Sequence, residues 1–168
     1  MGPMQRDPEP WRELSEALEG HLEARARGLL ASGFVLLDRG GTEVGRLDIQ
    51  DPAGADLTAG EVEARIERVG QSGYAMHSSG EEILASTADP TSPGITSRGH
   101  PYKGGLSLLR NRAEAGPKGH ATTIHIRGGL TNRTYQASFD TDDEYSLPVT
   151  LFLLYRLISQ RSRAYRAS

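Results

Sequence analysis

The sequence predicts an α+β fold, mainly antiparallel β. It is a curled sheet or barrel around a C-terminal hydrophobic helix, with an amphipathic helix at the N-terminus. Three observations lead there. The most apolar stretch, residues 146–158 (SLPVTLFLLYRLI), lies near the end of the chain and would be apolar on every side of a helix. A helix without a polar face must be surrounded by protein or by lipid. Ahead of it, a strand–glycine turn–strand pattern recurs at residues 34–49, 74–85 and 121–139, as hairpins of a meandering sheet would.

The bounds agree with this. A chain of 168 residues suits one domain with a sizeable core. It has no cysteine, which removes disulfides, thiolate metal sites and cysteine nucleophiles and fits a cytoplasmic location. The opening MGPMQRDPEPW has no apolar core of a secretory signal.

Taken in order, the first element is a helix over residues 8–30. Pro10 suits its first turn, and Trp11, Leu14, Leu18 and Leu22 recur at three- and four-residue steps to give one apolar stripe. That stripe is expected on the outside of the domain or against a partner, with a second copy of the chain held through Trp11, Leu14 and Leu18. Ser32-Gly33 ends the helix. Phe34 to Leu37 and Thr42 to Ile49 flank the turn Asp38–Gly41. Val62, Ala64 and Ile66 alternate with Glu61, Glu63, Arg65 and Glu67, a strand with one wet face, although so charged a segment also suits a helix. A second hairpin spans Tyr74 to Ala85. Residues 86–105, with Pro90, Pro93 and Pro101, read as a long loop with a short strand near Ile95. The last hairpin turns at Arg127-Gly128-Gly129, where one or both glycines are expected at positive φ. Ser146 then N-caps the apolar helix, centred on 147–159, and Asp142, Asp143 and Glu144 sit at its positive end. The expected organisation is a tail and amphipathic helix over 1–32, a β-rich domain over 33–160 and a basic tail over 161–168.

Antiparallel hairpins followed by SLPVTLFLLYRLI resemble the tubby-like C-terminal fold of tubby domains, plant LURP-one-related proteins and phospholipid scramblases. The resemblance spans roughly residues 33–160. It implies a barrel of about a dozen strands around a central hydrophobic helix, whereas the pattern itself yields eight or nine strands. It also implies, as in tubby domains, binding of phosphoinositide head groups by basic residues. No motif carries that site over residue by residue.

Charge supplies the functional expectation. Residues 1–89 hold 8 Lys and Arg against 17 Asp and Glu, while residues 90–139 hold 7 against 1. These halves either attract each other within the fold or leave an anion-binding face. The second reading places a ligand site at Arg98, Lys103, Arg110, Arg112, Arg127 and Arg133. Its ligand would be an anionic lipid or a phosphate-bearing molecule. Nucleic acid is disfavoured, because no recognised binding motif accompanies the basic residues and the net charge is −3. No metal or cofactor is expected. His120 and His125, five apart, face opposite sides of a regular strand. The acids 140–144 lack the glycine and the final glutamate of a calcium loop. The run Lys103-Gly104-Gly105-Leu106-Ser107 reads as a plain glycine turn rather than a phosphate loop. The apolar run is too short to span a bilayer, which takes about twenty residues.

The function expected is a non-enzymatic module for an anionic or phospholipid-like ligand, cytoplasmic and at most peripheral to a membrane. The alternatives are an interaction domain working through the N-terminal helix, and a small enzyme with a site in the 86–120 loops using His100, His120 or Lys103.

Overall fold

A computed structural model describes residues 9–28, 32–71 and 73–167. The strands are β1 (His21–Arg27), β2 (Gly33–Leu37), β3 (Glu43–Ile49), β4 (Gly54–Ala59), β5 (Val62–Val69), β6 (Gly73–Ser78), β7 (Glu81–Thr87), β8 (Gly94–Ser97), β9 (His100–Ser107), β10 (Arg112–Pro117), β11 (Ile124–Gly128) and β12 (Thr134–Ser138). Each is antiparallel to its neighbours in sequence, and β1 pairs with β12, so the sheet closes into a barrel. Closure removes every exposed edge. Helix α1 (Glu9–Leu18) precedes the barrel and α2 (Ser146–Ala167) follows it. The strands number twelve, against the eight or nine counted from the pattern.

Helix α2 threads the barrel. Its 22 residues give a length of about 33 Å, and residues 146–160 are all buried. Room for a helix roughly 10–12 Å across comes from small inward side chains. Ala24, Ala55, Ala59, Ala64, Ala113, Ala115 and Ala137 are all buried, although alanine is a poor strand residue. At Gly104 an added Cβ would meet Leu153 and Ile95 at 3.4 Å and Pro93 at 3.2 Å. Larger rings fill the remaining gaps. Tyr74 packs on Phe152 and Tyr155, with ring centroids 5.8 and 6.2 Å apart.

Polar ties fix the helix along its length. The Tyr155 hydroxyl donates to Asp51 at 3.0 Å, and Ser159 donates to the same carboxylate. Burial first, and then the Asp51 charge, push the Tyr155 phenol well above its ordinary range. The acids before α2 tie its start to strand β9 and to helix α1. Asp143 accepts from the Tyr102 hydroxyl, and Glu144 pairs with Arg12 at 3.2 Å. Ser146 does not behave as the expected N-cap. Its hydroxyl donates back to the carbonyls of Asp140 and Asp143.

The N-terminal expectation needs correction. The helix ends at Leu18, and Glu19 and Gly20 take left-handed φ of 52° and 76°. A Cβ at Gly20 would lie 2.8 Å from the Phe139 carbonyl oxygen, so the chain turns there only through glycine. Residues 21–27 then form a barrel strand, with Leu22 inward. Leu22 falls four residues after Leu18, and that spacing disguised the change from helical to strand period. The stripe is not external either. Trp11, Leu14 and Leu18 belong to the core, where α1 plugs one end of the barrel and the Trp11 indole N–H reaches Ser78 Oγ at 3.4 Å. These side chains are not available to a second copy.

Residues 86–105 are also not a long loop. They hold the end of β7, all of β8 and most of β9. Pro101 sits in β9 opposite Thr96, and the Lys103–Ser107 run is strand rather than turn. Val62–Ile66 is strand, which decides between the two readings of that segment.

Phe152→Ala should cost about 3–5 kcal/mol, as removal of a core aromatic does. An unchanged thermal midpoint would contradict the enclosure of α2. A chain starting at residue 31 lacks both α1 and β1 and leaves β2 and β12 as open edges. It should show no cooperative melt by circular dichroism.

Candidate ligand-binding site

The outer wall formed by β9, β10, β11, β12 and β1 follows strict alternation. Leu106, Ala113, Ile126, Ala137 and Leu22 face the core, so the residues between them face out. Register aligns those outward residues in two rows across the wall. One row runs Ser107, Arg112, Arg127, Gln136, Glu23. The other runs Gly105, Glu114, His125, Ser138, His21. Thr91 and Ser92 close one side, where the Leu106 N–H donates to the Thr91 carbonyl at 2.8 Å. The result is a trough of about 700 Å³. Gly105 deepens it by contributing no side chain.

Three of the six expected residues converge there. Arg110, Arg112 and Arg127 all line the trough. Arg112 and Arg127 are directly opposed on neighbouring strands, an arrangement that is destabilising by itself for like charges. The other three lie apart. Arg133 donates to the Gly28 carbonyl at 2.6 Å. Lys103 faces out farther along β9, opposite Gly94 and Gly116. Arg98 occupies the β8–β9 turn at φ 48°.

Among the described residues, ion pairs join Arg12 to Glu144, Arg25 to Glu23, and Arg65 to Asp56 and Glu67. None joins residues 90–139 to residues 1–89, and none involves Arg110, Arg112 or Arg127. Among the described residues Glu114 is the one carboxylate lining the trough, so three guanidiniums face one acid. Sequence reasoning missed His21, His125, Gln136 and Ser138, because only strand register brings β1 and β12 beside β11.

The turns at this end are pinned to α2. Arg161 donates to Asn132 Oδ1 at 3.0 Å and to the Leu108 carbonyl at 2.6 Å. Asn111 Nδ2 donates to the Gly129 carbonyl at 3.0 Å. Two leucines, Leu109 and Leu130, stand fully exposed on the β9–β10 and β11–β12 turns. The expected glycine conformation at that second turn is not found. Neither Gly128 nor Gly129 has positive φ, and Asn132 takes it instead at 60°. Gly128 is needed for space, because a Cβ there would fall 2.1 Å from Asn111 Nδ2 and 2.6 Å from the Tyr135 ring.

The residues named for the enzymatic alternative lie in the β8–β11 part of the barrel. His100 stacks on Tyr145 with centroids 3.9 Å apart, His120 lies between β10 and β11, and Lys103 is on β9. Among the described residues no group of three His, Cys, Asp or Glu is arranged to hold a metal, and no helix is long and apolar enough to cross a membrane.

The chain path is similar to that of an X-ray structure of a protein from Arabidopsis thaliana. The TM-score is 0.57 at 12% identity, over 91% of this chain and 97% of that one. A likeness at that identity is one of fold. No family model and no curated protein sequence matches the chain.

Gly128→Val should lower the thermal midpoint clearly, whereas Gly129→Ala, with only Thr134 O at 3.6 Å, should leave it nearly unchanged. Paired melts of the two variants check the spatial role of Gly128.

Proposed function

We propose that this protein is a non-enzymatic binding module for an anionic, phospholipid-like ligand held in the outer trough by Arg110, Arg112 and Arg127. The observation that carries the reading is the gathering of these three cations with no ion-pair partner among the described residues. An anion placed across the Arg112–Arg127 pair would relieve their repulsion and accept charge-assisted hydrogen bonds from both. Ser107 and Gln136, in the same row, offer further polar groups to a head group.

The turns favour a ligand presented on a surface. Leu109 and Leu130 project beside Arg110 and near the trough, as apolar tips flanked by cations do where they dip into the interface of an anionic bilayer. The protein would act at the membrane surface, in contact with it through one end of the barrel. The resemblance of hairpins and enclosed helix to the tubby-like fold supports the same assignment, since tubby domains bind phosphoinositide head groups through basic residues.

The test is co-sedimentation with vesicles of phosphatidylcholine alone and with added phosphatidylserine. Binding should require the anionic lipid and fall steeply with salt. Each arginine near an anionic surface contributes about 1 kcal/mol, so the double variant Arg112→Ala, Arg127→Ala should bind roughly thirtyfold more weakly. Its thermal midpoint should hold or rise, because a like-charge pair has been removed. Equal vesicle binding by this variant and the wild type would overturn the assignment.

A further inference from the structure

The end of the barrel from which α2 emerges holds a second cavity, of about 290 Å³. It lies inside the rim rather than on the outer wall. Arg68, Tyr74, Leu108, Arg156, Gln160 and Arg163 line it, and among the described residues no carboxylate does. It is separate from the trough and shares no residue with it.

Arg156 is the unusual member. It stands in the apolar run of α2, is only 5% exposed, and its Nη1 is buried with no hydrogen-bond partner. Its Cζ lies 4.3 Å from the centroid of Tyr74, a cation–π contact that satisfies the face of the guanidinium but not its N–H edge. A lysine so placed could shed its proton, whereas an arginine keeps its charge. Burial pulls the Arg156 pKa down, and the positive charge of Arg163 adds to that. Asp51 acts on Arg156 through its charge, but it already accepts from Tyr155 and Ser159. Arg68 approaches the same ring from the rim, its Cζ 5.8 Å from the centroid, with its Nε donating to the Gly70 carbonyl at 3.0 Å.

A buried unpaired cation is strongly unfavourable, and two more cations beside it increase the repulsion. One oxyanion in the cavity would lie among the three guanidiniums and offset their charges. The volume lies at the lower limit of small-molecule pockets, about 300 Å³, which suits a phosphate group and not an acyl chain. We infer that the barrel mouth is a second anion site, in which Arg156, Arg68 and Arg163 hold a phosphate group, free or carried on a lipid head group.

The test uses the full chain and inorganic phosphate at constant ionic strength, read by thermal midpoint and by titration calorimetry. Phosphate should raise the wild-type midpoint. The variant Arg68→Ala, Arg163→Ala changes two exposed side chains, and its phosphate affinity should fall about tenfold or more. Arg156→Met should melt at or above the wild-type midpoint without phosphate and show no response to it. If that core variant fails to fold, the Arg68/Arg163 variant still decides. The trough variant Arg112→Ala, Arg127→Ala should keep the full phosphate response, which separates this site from the outer one. If free phosphate has no effect but vesicles with phosphatidic acid bind in a manner that needs Arg68 and Arg163, the phosphate is that of a lipid. The inference is overturned if the wild type responds to neither probe. It is equally overturned if the Arg68/Arg163 variant responds as the wild type does, or if only the trough variant loses the response.

Discussion

Enclosure of α2 is the constraint on which the rest of the structure depends. A run such as Leu151-Phe152-Leu153-Leu154-Tyr155 offers water no polar face, so the chain must supply a complete wall. Twelve strands give that wall, and closure through β1 and β12 leaves no edge for another chain to extend. The helix in turn dictates what the strands carry inside. Alanines and Gly104 face it where it lies close, and Tyr74, Ile95 and Tyr102 fill the wider gaps. Leu14 and Leu18 of α1 belong to the same core, and α1 plugs the end where α2 begins. Each component completes the other: the helix fills an interior that the barrel would otherwise leave empty, and the barrel covers a surface that water does not suit.

The same arrangement sorts charge. An inner wall devoted to packing leaves only outward positions and the two ends for ionised groups, and the strand period distributes them without regard to distance along the sequence. Arg112 and Arg127 become cross-strand neighbours because Ala113 and Ile126 must both face inward. Arg156 is the exception, a charge on the enclosed helix placed just where the barrel opens. Its stacking on Tyr74 joins the core to the rim chemically as well as sterically.

Much of this was legible in the sequence. The apolar helix and the three glycine hairpins announce themselves through composition and period, and α2 with the β2–β3, β6–β7 and β11–β12 pairs lies where they indicate. What stayed hidden depends on tertiary partners. His21–Arg27 alternates like a strand, yet Leu22 extends the helical spacing of Trp11, Leu14 and Leu18, and only β2 and β12 on either side decide between the two periods. Strands β8 and β9 carry prolines and glycines that argue against a sheet locally, and their pairing is settled by β7 and β10. For the candidate site, composition singled out the basic segment, but which arginines meet is a matter of register. That is why Arg110, Arg112 and Arg127 share a surface while Arg98, Lys103 and Arg133 do not.

The order of elements along the chain has a consequence for biosynthesis. All twelve strands are synthesised before the helix they surround. Until residues 146–160 appear, the inward alanines, leucines and tyrosines have nothing to pack against, and β1 has to wait for β12, with His21 and Ser138 brought together from opposite ends of the barrel sequence. Such long-range pairing is slow to form and leaves apolar surface open in the interval. Only the arrival of residues 146–160 supplies the core around which the strands close, so the decisive step of folding comes after translation of the strands is finished.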